Sequence, residues 1–368
     1  MTTRSLVAQS LANGPAGQAL LALERGQDAR HWLANLVAEP VLAHPEEASL
    51  FDGAPAVAFT LAATDQHRAL AALDEHVEKI TRCRLETAYQ RMARGELADK
   101  REFDLIGGLT GLGAYLLRRG ANDELLREVL RYLVCLTQPH QDGHPGWWAT
   151  DGPTGAGPAW QNGHGNLGMA HGICGPLALL SLALRRGIVV SGQTAAINRI
   201  CQWLDRWRCG TPPRAWWPEA ITHADHARGI VERPGPSRPS WCYGTPGIAR
   251  AQQVAGLALR DRTRWRLAED ILSWCLTDEQ QLAQLGDVSL CHGWAGVVHT
   301  AWRASRHNDQ LAATLPRLLN GLTAHLARQP PSSRGLLTGA TGAILAQRAT
   351  RTNTPPVTQW DTCLLLSE

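Results

Sequence analysis

Long apolar runs are missing from this sequence. No stretch of its 368 residues approaches the ~18 consecutive apolar residues that a membrane span requires. The opening Met1-Thr2-Thr3-Arg4-Ser5 leads into no sustained apolar segment, which speaks against a signal peptide. Dense Lys/Arg runs are missing too. The formal charge of +3 is scattered and gives no case for nucleic-acid binding. Alternating Val/Ile/Thr segments of strand type are almost absent, which excludes a β architecture. The nine cysteines are odd in number and lack the compact spacing of a disulfide framework. That usage fits a reducing cytoplasm with thiols kept free or bound to metal.

What is there is helical. With 44% hydrophobic and 19% charged residues the composition is globular. From His67 to Gly95 apolar residues fall at Leu70, Leu73, Val77, Ile80 and Leu85, steps that mark one face of a helix. Segments 123–137, 193–208, 257–276 and 309–328 show the same amphipathic period and are each predicted as a helix. The fold class is all-α.

A repeat overlies this pattern: a small or polar residue, Gly, two residues, Gly or a small residue, then an apolar run. It occurs at Gly107-Gly108-Leu109-Thr110-Gly111, His171-Gly172-Ile173-Cys174-Gly175 and Tyr243-Gly244-Thr245-Pro246-Gly247. It recurs at His292-Gly293-Trp294-Ala295-Gly296 and Thr338-Gly339-Ala340-Thr341-Gly342, and in degenerate form at Asp52-Gly53-Ala54-Pro55-Ala56. Each interval holds about one helix pair. Gly at a helix start lets backbones approach closely, as helices converging on one axis require. The prediction is an α/α toroid, a double ring of helical hairpins with six to seven inner and outer helices. It forms one domain over residues 1–368, with 1–45 as an N-terminal helical closing segment. An open solenoid would keep a tighter period than these uneven intervals.

Two intervals carry long loops, 138–166 and 209–240. The first holds Trp147 and Trp148, with Pro153 and Gly155 further on; the second holds Trp216, Trp217 and several prolines. Structureless stretches of this length are usually functional. The Trp pairs suit an extended peptide partner if exposed; otherwise they roof the core.

The chemistry sits on the repeat. Cys242 precedes Tyr243-Gly244, Cys291-His292 precede Gly293, and His171 precedes Gly172. Side chains on one register meet at one end of the ring. Two Cys and one His are a soft zinc donor set, and three protein ligands leave a fourth position open, as catalytic zinc sites do. Any one of these Cys, taken alone, reads as an ordinary core residue. His171 is either a fourth ligand or an acid/base. Asp104, four residues before Gly108, is a charge among apolar neighbours that needs a partner or caps a helix. Arg238 lies four residues before Cys242.

Here the sequence resembles a known family. The segments 166–175 (Asn166-Leu167-Gly168-Met169-Ala170-His171-Gly172-Ile173-Cys174-Gly175), 238–244 and 290–296 look like the three signature blocks of the LanC-like family, the lanthionine synthetase cyclases. The Asp104 block, Pro145-Gly146-Trp147-Trp148, Trp217-Pro218 and Trp360-Asp361 add to the resemblance, which runs from about residue 50 to the end. It implies an α/α toroid with seven inner helices and one zinc ion held by Cys242, Cys291 and His292. It also implies Asp104, His171 and Arg238 as the other active-site residues.

The implied reaction is Michael-type addition of cysteine thiols to dehydroalanine or dehydrobutyrine within a dehydrated precursor peptide. The implied partners are that peptide (leader plus core), a separate dehydratase and, in a biosynthetic complex, a transporter. The location implied is cytoplasmic, at the periphery of such a complex, with no membrane insertion. The lack of a long N-terminal dehydratase or kinase region resembles a standalone cyclase of class I type. Two other readings compete. A different zinc–thiolate enzyme on an α/α toroid, such as a prenyltransferase subunit, would want a carboxylate ligand, and none flanks Cys242 or Cys291. A peptide-binding adaptor of the same fold would have no need to retain all six residues.

Overall fold

The computed structural model describes residues 8–150, 152 and 160–368. Residues 1–7, the start of the expected closing segment, lie outside the described residues. So do 151 and 153–159, with Pro153 and Gly155 of the first long loop. The described residues form two compact units. One holds the chain up to Arg84 and Leu285–Ser367; the other holds Leu85–Gln284 with Glu368.

The second unit is a set of helical hairpins. Leu109–Arg119 packs on Asp123–Leu136, Cys174–Arg185 on Gln193–Arg206, and Thr245–Leu259 on Arg262–Thr277. The first member of each pair is the inner helix. Cys174–Arg185 is buried over ten consecutive residues, Cys174 to Ala183, as expected of a helix apolar all round. The outer members are amphipathic, and two of the three, Asp123–Leu136 and Arg262–Thr277, have side-chain caps. Asn122 caps Asp123–Leu136 by accepting the Leu125 N–H at 3.0 Å, and Asp123 and Glu124 sit in its first turn, where carboxylates suit the helix dipole.

In the first unit Pro15–Glu24 packs on Arg30–Leu36, Ala54–Leu61 and Ala340–Thr352, while Trp294–Ala304 packs on Asp309–Arg328 and Ala340–Thr352. Every residue of Trp294–Ala304 is buried. That burial includes His299 and Arg303, both held by Asp361: His299 Nε2 at 2.7 Å from Oδ2 and the Arg303 Nε donating at 2.6 Å.

Among the described residues seven helices start at a motif glycine. Gly14, Gly53, Gly108, Gly244, Gly293 and Gly339 are N-caps, and Gly172 lies two residues before Cys174. The seventh motif is Asn13-Gly14-Pro15-Ala16-Gly17, inside the segment expected only to close the ring. Successive motif loops are tied by main-chain hydrogen bonds within each unit. Leu105 N donates to Ala170 O (3.0 Å), and Met169 and Ala170 N donate to Cys242 O (2.8 and 3.2 Å). In the other unit Cys291 N donates to Leu337 O (2.9 Å), Leu337 N to Ala12 O (3.0 Å) and Leu11 N to Phe51 O (2.8 Å).

Three expectations change. The segment 257–276 is two helices, because Thr245–Leu259 ends at Arg260 with φ +57° and Asp261 caps the next helix through Arg264 N. Apolar periodicity ran straight across this tight turn. The long loops are not structureless. His164–Asn166 and Ala220–Thr222 pair antiparallel, Gly165 opposite Ile221, and a capping box between Thr222 and Asp225 starts the short helix His223–Arg228. Trp147, Trp148 and Trp217 are buried and Trp216 is half-buried, so three of these four rings roof the core.

Candidate active site

The candidate residues sit in the turns just before motif glycines, and serine builds those turns. The residue four places before the motif glycine is Ser10, Ser49, Ser240 or Ser289 in four of the seven repeats. In three of them the hydroxyl accepts the N–H three residues on: Asn13 at 3.3 Å, Tyr243 at 3.3 Å and His292 at 3.1 Å. Short side chains of this type commonly close turns by bonding their own backbone.

Asp104 occupies the same place in the Gly108 repeat. Its Oδ1 accepts the Gly107 N–H at 2.6 Å, so one carboxylate oxygen does what the serines do. The other, Oδ2, lies 2.6 Å from His171 Nδ1. Asp104 is fully buried, while about a third of the His171 side chain is open to solvent. The expected alternatives resolve here: Asp104 is no helix N-cap, since Gly108 takes that role, and its partner is His171.

His171 is carried by a turn that Asn166 organises. Fully buried, Asn166 accepts the Gly168 N–H at 3.0 Å through Oδ1, and its amide nitrogen lies 3.4 Å from the Tyr243 hydroxyl. A Cβ on Gly172 would overlap Asn166 Oδ1 and the Gly168 nitrogen, so only glycine fits there. The Tyr243 ring stacks on His171 at 6.1 Å between centroids. Burial pushes the Tyr243 hydroxyl well up from its ordinary value, which keeps it a proton-bearing donor. Sequence reading passed over Tyr243, although it shares the register of His171 and His292, one residue before the motif glycine.

Cys291 and His292 stand side by side in the turn before Gly293 in one unit, and Cys242 holds the matching place before Gly244 in the other. Together they make up the His/Cys donor set that could hold a metal ion, and His171 is not part of it. Cys242 is buried, and Cys291 and His292 are half-buried. None of the nine cysteines forms a disulfide. Two thiols and one imidazole fit zinc by donor chemistry and number. Asp287 was also passed over: its Oδ2 lies 3.2 Å from His292 Nε2 and its Oδ1 accepts the Ser289 N–H at 2.7 Å. Burial acts to raise the Asp287 carboxyl, but the hydrogen bonds from His292 and Ser289 outweigh it and hold it well below the carboxylate range. The Arg238 side chain is exposed and its carbonyl lies against Gly244, at the base of the Cys242 turn. A cavity of about 980 Å³ beside Asp28, Arg30 and His67 includes none of these residues.

Comparison with known proteins bears on this site. A sequence model of the family described as lanthionine synthetase C-like protein matches residues 5–365. The chain belongs to the lanthionine synthetase C-like family. Within that family it is 24% identical over 203 residues to the nisin biosynthesis protein NisC of Lactococcus lactis subsp. lactis, a match covering 54% of this chain. The chain spans about half the length of that relative, 48% of which is covered. Among solved structures, nisin cyclase superposes with a TM-score of 0.82 at 20% identity, covering 99% of this chain and 94% of the other. That likeness shows the fold, the all-α, α/α toroid expected from the glycine repeat. Among the described residues no helix is long and apolar enough to cross a membrane.

Proposed function

We propose that this LanC-like chain is a zinc-dependent lanthipeptide cyclase, one domain over residues 1–368. It would form lanthionine and methyllanthionine thioether rings by intramolecular addition of cysteine thiols to dehydroalanine or dehydrobutyrine. The observation that carries this reading is the shared register. The Cys242/Cys291/His292 donor set and the His171–Asp104 pair both sit in turns before motif glycines. The family match across both units supports reading the chain as one domain.

Cys242, Cys291 and His292 would hold one zinc ion. Zinc there favours the thiolate of a substrate cysteine, whose free thiol has a pKa near ~8.5. The remaining steps belong to the protein's own side chains. The thiolate sulfur bonds to the β-carbon of the dehydro residue as the carbon–carbon π bond opens, and negative charge collects on the enolate oxygen. Asp104 accepts the His171 Nδ1–H, fixing the tautomer and the ring's orientation. His171 Nε2 then delivers a proton to the α-carbon, balancing the proton lost from the thiol. Arg238, exposed beside the Cys242 turn, offsets enolate charge.

The substrate is a dehydrated precursor peptide, leader plus core, which requires a separate dehydratase upstream. A transporter is a further partner, and the location is cytoplasmic, at a membrane-associated assembly. The experiment is incubation with a dehydrated lanthipeptide precursor followed by thiol alkylation and mass spectrometry. Loss of alkylatable thiols at unchanged mass supports the reading. Full alkylation with the peptide still bound favours an adaptor.

A further inference from the structure

We infer that Asp287 is a positioning residue for His292, fixing its ring so that Nδ1, and not Nε2, is the metal-binding nitrogen. This rests on the zinc reading above. The geometry is local. Asp287 Oδ2 lies 3.2 Å from His292 Nε2, within ion-pair reach, so a proton on Nε2 faces a carboxylate, and in that tautomer Nδ1 is the nitrogen with a lone pair to offer a metal. Metal-bound imidazoles generally donate their other N–H in this way, and the partner sets ring orientation and basicity.

The repeat supplies an internal comparison. Asp287 is six residues before Gly293, as Asn166 is six before Gly172. Both use Oδ1 for the same purpose. Asn166 accepts the Gly168 N–H at 3.0 Å and Asp287 the Ser289 N–H at 2.7 Å, each two residues on. In both repeats a Cβ on the motif glycine would overlap that same Oδ1. An asparagine therefore suffices to build the turn, and the two sites differ in what the second terminal atom does. At Asn166 it is an amide nitrogen facing the Tyr243 hydroxyl. At Asp287 it is an oxygen facing His292 Nε2. A carboxylate is thus unnecessary for the turn and is explained by the imidazole.

The loop is braced so that this pairing is not a loose surface contact. Asp287 O accepts the Trp294 N–H at 3.0 Å, and Ser289 Oγ accepts the His292 N–H at 3.1 Å. Both ends of the Asp287–His292 segment are pinned by the same few residues. The glycine at 293 is needed twice, to start the helix at Trp294 and to leave room for the carboxylate.

The test uses Asp287→Asn, which preserves the turn as Asn166 does but turns a donor amide toward Nε2. Zinc affinity is measured by competition with a chromophoric chelator on the full-length protein. The ring is read in wild type by long-range ¹H–¹⁵N correlation of the zinc-loaded, ¹⁵N-histidine-labelled chain. The expected result is metal at Nδ1 with the proton on Nε2, and zinc binding weakened about 10- to 100-fold in Asp287→Asn with an unchanged thermal transition. Equal zinc affinity in the two proteins, or metal at Nε2 of wild-type His292, overturns the inference while leaving the zinc site standing. A wild-type chain that takes up no zinc overturns the metal reading and this inference with it. The wild-type spectrum decides the matter even if the variant fails to fold.

Discussion

The carbonyl oxygen of Cys242 accepts the backbone N–H of Met169 at 2.8 Å, two residues from His171. Ala170 N donates to the same oxygen at 3.2 Å. The turn carrying a proposed metal ligand and the turn carrying a proposed proton donor are therefore one hydrogen-bonded structure. Gly168 lies where they meet. A Cβ there would come 2.6 Å from Cys242 O and 2.7 Å from the Tyr243 ring.

Gly168→Ala is accordingly expected to disturb both turns. Overpacking of this kind costs about 1–3 kcal/mol, and zinc content should fall with it, because Cys242 must move to admit the methyl group. Thermal unfolding and metal analysis on the same preparation check this. A variant with wild-type stability and wild-type zinc would show that the two turns are not coupled.

Zinc content should be about one ion per chain, since three convergent soft ligands bind it tightly. Cys242→Ala and Cys291→Ala are each expected to lose most of it, as measured by atomic emission after dialysis. Retention of full metal in both variants would dismiss the donor set.

The buried Asp361 predicts acid sensitivity. Burial alone would raise its carboxyl, but the hydrogen bond and charge of His299 and the charge of Arg303 outweigh burial and hold it below its ordinary value. A depressed carboxyl contributes stability that is complete above the unfolded value of ~3.9 and is lost as pH falls through the lower folded value. Asp361→Asn leaves the buried Arg303 uncompensated and should cost roughly 3–5 kcal/mol. Below about pH 4 its melting temperature should vary less with pH than that of wild type, as circular dichroism can follow.

Much of this was readable from spacing. Period 3.6 located His67–Ala93, Asp123–Leu136 and Asp309–Arg328, because each buries one face and solvates the other. The glycine register located the turns that hold Cys242, Cys291, His292 and His171. Six repeats were read where seven exist, since Asn13-Gly14-Pro15-Ala16-Gly17 carries the pattern without reactive residues to draw notice. The fate of Trp147, Trp148 and Trp217 was not readable, because a Trp pair in a loop looks the same whether it roofs a core or faces a ligand. Nor was Asp287 readable as a partner of His292. Its distance of five residues matches no helical or strand rule, and only the folded turn brings the two together.

The last prediction separates the structural role of Asp104 from its proposed chemical one. Its place in the turn is taken by serine in four other repeats, and serine needs only one acceptor to satisfy the N–H three residues on. Asp104 spends Oδ1 on Gly107 and directs Oδ2 to His171. Asp104→Ser therefore restores the repeat's own turn while removing the oxygen that His171 faces. The variant should fold and hold zinc like wild type, since neither Asp104 nor His171 belongs to the Cys242/Cys291/His292 group. Ring formation should slow by about 10²-fold or more, the usual scale for disabling an acid/base group, and His171→Asn should slow it comparably. The two changes together should cost little more than either alone, because residues acting as a unit are not additive. Cyclisation is followed by thiol alkylation on a dehydrated precursor, with zinc measured on the same samples. Normal ring formation by Asp104→Ser would place proton transfer elsewhere. Loss of zinc from His171→Asn would make His171 a ligand after all.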